Sequence, residues 1–227
     1  MRPTVLLFDV DGTLVDSAGV GRRALERAFR ARYGSAAPLD AVDFHGMTDR
    51  AIVRAALATL AERPDDAIDA ILAAYVAHLA DEVARARTIR PHPGVVAALD
   101  AAARWPRVAV GLGTGNIRAG ARLKLTPVAL FDRFAFGGFG CDHEHRPALL
   151  RIGAARGAAL LGAPVDACRV VVIGDTPLDV QAARAIGADA VAVATGRWDA
   201  PALRSAGATY AFPDLTHPDA LAALRGA

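Results

Sequence analysis

Leu6-Leu7-Phe8-Asp9-Val10-Asp11-Gly12-Thr13-Leu14-Val15-Asp16-Ser17 opens as an apolar run and then presents two carboxylates, a glycine and a hydroxyl. A short continuous apolar run bounded by turn residues reads as a strand covered on both faces, the situation of a parallel sheet. Alternate strand residues point to opposite faces, yet a strand end followed by Gly12 can turn Asp9 and Asp11 toward one crevice. Crevices at the carboxyl ends of strands are where open α/β sheets bind ligands. Two carboxylates at one site repel each other. A divalent cation, and a proton held on one of them, relieve the repulsion, which fits one group as nucleophile and metal ligand and the other as general acid and base.

Working outward, short apolar runs alternate with amphipathic stretches, which predicts an α/β fold with a Rossmann-like parallel sheet. Strands are expected at Thr4 to Val10, Arg107 to Gly113, Arg133 to Gly137, Arg169 to Gly174, Ala188 to Ala194 and Ala208 to Phe212. The gap between the first two is too long for one crossover and holds three helical patterns without a strand, so an all-helical domain is inserted there. The first helix carries Leu25, Ala28, Phe29 and Tyr33, and the second Ile52, Val53, Ala56, Leu57 and Leu60. In the third, from Asp66 to Arg87, Ile68, Ile71, Leu72, Tyr75, Val76, Leu79 and Val83 share one face. These stripes read as packing within a small bundle. Asp16 to Gly19 and Arg90 to Gly94 serve as the outgoing and return linkers, so residues 1–15 and 91–227 form the core and 16–90 the helical cap.

Composition sets outer limits. The chain has 227 residues, 53% of them hydrophobic, enough for an ample core. Its 26 basic and 24 acidic residues are mixed rather than blocked, which gives no reason to expect a nucleic-acid partner. Two cysteines, Cys141 and Cys168, read as a reducing compartment. An acidic residue arrives too early for a signal peptide, and no apolar run approaches the roughly 20 residues of a membrane span, so a cytoplasmic protein with no membrane partner is expected.

A second acidic element, Val170-Val171-Val172-Ile173-Gly174-Asp175-Thr176-Pro177-Leu178-Asp179, is again a strand, a turn and two carboxylates. Oxygen-only ligands at two strand ends suit Mg²⁺; the competing reading has Asp175 capping the helix that begins near Pro177. A third, Val110-Gly111-Leu112-Gly113-Thr114-Gly115-Asn116, sets a hydroxyl and free backbone N–H groups where an anion can sit. Asn116 there also reads as an N-cap.

The first segment resembles the opening motif of the haloacid dehalogenase-like superfamily at every defining position, and the other elements come in that family's order, with the cap placed as in members whose cap follows the first motif. The resemblance implies a Mg²⁺-dependent phosphatase acting on a small phosphorylated metabolite through an aspartyl phosphate on Asp9, with Asp11 as acid and then base. It implies metal ligation by Asp9, Asp11, Asp175 and Asp179, the last through water, and phosphoryl binding by Thr114 with Gly115 and Asn116. The family's charge-neutralising lysine has two candidates. Arg146 lies near the position of the family's usual Lys-Pro motif but is an arginine. Lys124 is the chain's single lysine beside 25 arginines and is favoured, although on a helix running from Asn116 it would lie about 12 Å along the axis, which strains its reach.

Rival activities turn on single residues. Asp11 argues against a dehalogenase, and a cap without lysine argues against a phosphonate-cleaving member. A sugar phosphomutase, or a non-catalytic relic of the fold, remains as the alternative. Asp43 to Arg50 resembles the cap loop that faces the active site in related phosphatases, so His45, Thr48 and Arg50 are candidate substrate contacts. On the other reading Thr48 caps a helix, Asp49 favours its dipole and Arg50 is solvated. The chain is expected to act as a monomer or homodimer.

Overall fold

The computed structural model describes residues 2–60 and 64–226. β1 (Thr4–Phe8) lies at the centre of a six-stranded sheet with β4 (Val108–Thr114), β5 (Gly137–Phe139), β6 (Arg169–Gly174), β7 (Asp189–Val193) and β8 (Tyr210–Phe212). Their order is β5-β4-β1-β6-β7-β8, and every neighbouring pair is parallel. The continuous apolar run of β1 reflects its place between two neighbours and two helical layers. Leu6 and Phe8 join Leu112, Val171, Ile173 and Val191 on one face, under α4 (Val95–Ala102) and α9 (Ala220–Arg225). Val5 and Leu7 point the other way, to Leu149 and Leu150 of α6 (Arg146–Leu160), Val180 of α7 (Pro177–Ala185) and Leu203 of α8 (Ala200–Ser205). The four consecutive residues Val5 to Phe8 are fully buried, each worth roughly 1.5–3 kcal/mol in apolar transfer.

Past β1 the chain forms β2 (Val15–Asp16), which pairs antiparallel with β3 (Arg90–Pro91). Between these two short strands lie α1 (Val20–Tyr33), α2 (Asp49–Ala58) and α3 (Pro64–Arg85). They build a separate apolar cluster from Leu25, Phe29, Ile52, Leu57, Ile68 and Leu79 among others, the stripe that helical spacing selects, except that Leu60 lies past the end of α2 and is exposed. The α/β core with an inserted helical unit is therefore the observed architecture.

Two local expectations need correction. The apolar segment Arg133 to Gly137 is not the third strand of the sheet, which is Gly137–Phe139. Phe131–Arg133 forms a 3₁₀ turn, and Phe134 packs its ring against Phe8 at 6.3 Å. The true edge strand is glycine-rich because α6 crosses it closely: a β-carbon on Gly138 would collide with the carbonyl oxygen of Leu149. Asn116 does not cap a helix either. The helix α5 (Arg118–Leu125) starts two residues later, with Ile117 at its N-cap and no side-chain capping bond, because the Asn116 amide is engaged elsewhere.

Candidate active site

The C-terminal ends of β1, β4 and β6 converge under the helical insert on a cavity of about 700 Å³. Asp9 leaves β1 with its backbone N–H donating to Ile173 O at 2.9 Å, so the first carboxylate is aimed by the central ladder itself. Gly12 comes next in the turn at φ 79°, a backbone region that suits glycine, and a β-carbon there would run into the Asp175 carboxylate.

Asp9, Asp175 and Asp179 bring carboxylate oxygens within 4.8 Å of one another. Asp175 sits at the end of β6, where one oxygen accepts from Thr13 Oγ1 at 2.9 Å. Asp179 is fixed on the first turn of α7 by a capping box, accepting from Thr176 N at 3.0 Å and Thr176 Oγ1 at 2.6 Å. The cap of α7 is thus Thr176, and Asp175 is free to face the cavity. Burial, reinforced by the charges of Asp179 and Asp9, pushes the Asp175 carboxyl well above the usual range. Burial likewise dominates at Asp9, whose pKa rises to about 6 against the lowering pull of Arg146 and a hydrogen bond from Thr114.

Asp11 is turned away from this trio, although it was expected among the metal ligands. Its Oδ2 accepts from Lys124 Nζ at 2.6 Å and Asn116 Nδ2 at 2.8 Å, and its Oδ1 from Ser17 Oγ at 2.5 Å. Burial raises its pKa, but the ammonium and these hydrogen bonds outweigh it and hold the carboxyl below its ordinary value. Asn116 Oδ1 accepts a second bond from Lys124 Nζ at 2.7 Å, and Asn116 Nδ2 also reaches Thr114 Oγ1 at 3.0 Å.

The two candidate cations therefore occupy different places. Lys124 grips Asp11. Its reach is not strained, because α5 begins at Arg118 and carries Gly120, Ala121 and Lys124 on the buried face. Arg146, at the start of α6, places Nη2 3.2 Å from Asp9 Oδ2, bonds Asp179 with the same nitrogen, and donates Nη1 to Gly46 O at 3.2 Å. Burial works against its charge, but Asp179 and Asp9 together overcome that and push its pKa up.

The insert supplies the roof. Gly115 O accepts from Asp49 N at 2.9 Å, while Asp49 Oδ2 accepts from Ile117 N at 2.8 Å. Thr48 does cap α2, accepting from Ala51 N at 3.2 Å, and it also donates to Glu144 O at 3.0 Å, so its hydroxyl is occupied. Arg50 pairs with Asp69 at 2.6 Å. His45 lines the cavity, bonded to Asp43 at 2.5 Å and edge-on to Trp198 at 5.4 Å. Thr48 and Arg50 do not line the cavity, whereas Asp49 and Tyr75 do. Sequence reading passed over both: Asp49 was a helix-dipole residue and Tyr75 one member of an apolar stripe. Ser17 and Thr13 were also missed, since a lone hydroxyl in a polar turn carries no spacing signal.

Residues 3–187 match the family model described as haloacid dehalogenase-like hydrolase. A phosphoglycolate phosphatase from Rhodospirillum rubrum is 32% identical over 225 residues, covering 94% of this chain and 88% of that one. Another from Mesorhizobium japonicum is 26% identical over 215 residues, covering 88% and 86%. Among solved structures, CbbY from Rhodobacter sphaeroides in complex with phosphate superposes with a TM-score of 0.70 at 19% identity, over 99% and 100% of the two chains, a likeness of fold. With the acidic trio, the threonine and the two cations at one crevice, and with the family model spanning most of its length, this chain belongs to the haloacid dehalogenase-like hydrolases.

Proposed function

We propose that this hydrolase is a phosphatase that cleaves a small phosphomonoester, with Asp9 as nucleophile, and that phosphoglycolate, on which two similar proteins are named as acting, is the first substrate to try. The observation that carries the reading is the pairing of a buried, arginine-flanked carboxylate, Asp9, with a second carboxylate, Asp11, held by a lysine from the opposite side. An Asp9 oxygen attacks phosphorus, the ester P–O bond breaks, and Asp11 gives a proton to the departing oxygen, releasing the alcohol. A phosphoryl dianion arriving beside Asp11 raises its proton affinity, which offsets the hold of Lys124 and lets it arrive protonated. Water then attacks the aspartyl phosphate with Asp11 as base, and inorganic phosphate leaves. Arg146 faces the charge that accumulates on the phosphoryl oxygens, and Thr114 with the Gly115 backbone positions the group.

The residues fit a hard divalent cation. Three buried carboxylates converge and Arg146 pairs with two of them, Asp9 and Asp179, while burial and those two neighbouring charges disfavour the ionised form of Asp175, a cost that a bound cation would offset. Asp9 and Asp175 would hold Mg²⁺ directly. Asp179, both of whose oxygens are engaged by Thr176 and Arg146, would act through water. When bound, Mg²⁺ supplies electrostatic stabilisation of the transferring phosphoryl group.

Phosphate release from p-nitrophenyl phosphate and from phosphoglycolate, with Mg²⁺ or with excess EDTA, tests the reading. Turnover should require Mg²⁺ and vanish in a folded Asp9→Asn variant. Full activity in EDTA, or near-normal turnover by Asp9→Asn, would rule the mechanism out.

A further inference from the structure

Tyr75 sits midway along α3 with its side chain fully buried, yet its hydroxyl has no hydrogen-bond partner. A buried tyrosine normally satisfies that group, because leaving it dry costs stability with no return from packing. The hydroxyl is not lost among the apolar side chains of the insert. A β-carbon placed on Gly21 would lie 3.6 Å from it and 3.0 Å from Lys124 Nζ; one on Gly120 would lie 3.5 Å from it and 3.6 Å from Asp49 Oδ2. Tyr75, Lys124 and Asp49 therefore converge on one small space, and Tyr75 and Gly21 both line the catalytic cavity.

Asp11 gives that space its meaning. If Asp11 protonates the departing oxygen, the rest of the leaving group lies past Asp11, where Lys124 Nζ stands 2.6 Å from Asp11 Oδ2. Of the three N–H donors of Lys124, Asp11 and Asn116 take two, and the third is left for this space. Burial, with Asp49 and Asp11 nearby, pushes the Tyr75 phenol well above its ordinary pKa, so it stays a neutral donor. Resting on the phosphatase reading above, we infer that Tyr75 is a specificity-determining residue, whose hydroxyl donates a hydrogen bond to an acceptor oxygen on the leaving group of a small phosphomonoester. Carboxylate and hydroxyl oxygens share this chemistry. Lys124 beside the phenol draws toward a carboxylate and Asp49 toward a hydroxyl, and the substrates below separate the two.

Three phosphomonoesters with two-carbon leaving groups separate the cases: 2-phosphoglycolate, 2-hydroxyethyl phosphate and ethyl phosphate, which bear a carboxylate, a hydroxyl and neither. The wild-type enzyme should prefer an oxygen-bearing ester over ethyl phosphate in kcat/KM. Tyr75→Phe should cut that preference about 10- to 100-fold, the loss expected for one hydrogen bond made in a buried site, with little change on ethyl phosphate. Its Tm should hold or rise, since the substitution deletes only an unpaired polar atom. An unchanged preference in Tyr75→Phe, an equal fall on all three esters, or a wild type indifferent to the added oxygen would overturn the inference while turnover of ethyl phosphate leaves the phosphatase reading intact. Failure to hydrolyse any of these or p-nitrophenyl phosphate would sink both.

Discussion

Lys124 and Arg146 were alternatives for one role when read along the chain, and in space they serve different aspartates, Lys124 meeting Asp11 and Arg146 meeting Asp9 and Asp179. Lys124 Nζ is fenced by Asp11, Asn116 and the bare face of Gly21, with the side chain only 5% exposed. A planar guanidinium has no room to replace that compact ammonium. We therefore expect Lys124→Arg to lose about 100-fold in kcat/KM or more despite its unchanged charge. At Arg146 the fork matters, since it spans Asp9, Asp179 and Gly46 O. Arg146→Lys should fall about tenfold, and Arg146→Ala about 100-fold or more because two buried carboxylates lose their counter-charge. Steady-state rates, with circular dichroism to confirm folding, check the order. A Lys124→Arg enzyme at the wild-type rate would refute the crowding argument.

At the scale of elements, the junction between β4 and α2 decides how the roof meets the floor. Gly115 accepts from Asp49 N, and the loop ahead of α2 rests on its bare face. A β-carbon there would collide with Met47 O and come 2.9 Å from Thr48 Cα, so backbone has to move. Gly115→Ala should therefore lift the start of α2 and misplace Asp49, lowering kcat/KM by about 10- to 100-fold, as sub-ångström to ångström misplacement commonly does. The sheet, packed independently of the insert, should hold the loss of stability to about 1–3 kcal/mol, the usual cost of overpacking. Denaturant titration measured beside the kinetics separates these effects. Unchanged kinetics would mean the loop does not need this seat. The edge strand Gly137–Phe139 shows the same physics, because close helix contact selected glycine where apolar patterning pointed to the residues just before it.

For the whole molecule, metal binding at the acidic trio, as proposed above, would be linked to folding. Three carboxylates are assembled only in the folded chain, where Asp175 is pushed well above its ordinary range by burial and by Asp179 and Asp9. A raised carboxyl binds more protons folded than unfolded, so its contribution to stability is greatest at low pH and is lost as pH rises through the folded value. Ionising Asp175 in the metal-free protein sets it against Asp9 and Asp179, and a cation that binds only the native state relieves that repulsion. Millimolar Mg²⁺ should accordingly raise Tm at pH 8, by more than it does in Asp175→Asn, in line with ligand linkage of about 2.7 kcal/mol at 100 times Kd. Equal shifts in the two proteins would remove Asp175 from the metal site. Among the described residues no helix is long and apolar enough to cross a membrane.

Local chemistry was legible in the sequence wherever one element carried it whole. The apolar runs of β1 and β6 ended in Asp9 and Asp175, and the stripes of α1, α2 and α3 selected the residues that build the insert's core. Those readings depend on periodicity and on the residue types just past a strand end, which are properties of consecutive residues. The partners of each charged group were decided by tertiary structure. That Lys124 meets Asp11, Arg146 meets Asp9 and Asp179, and Tyr75 brings an unpaired hydroxyl to the same cavity depends on where α3, α5 and α6 cross the sheet end. An arginine or a tyrosine looks the same along the chain in solvent, in a core or over a nucleophile. Only the packing of elements far apart in sequence fixes its distance to a counter-charge, and electrostatic energy depends on that distance and on the burial around it.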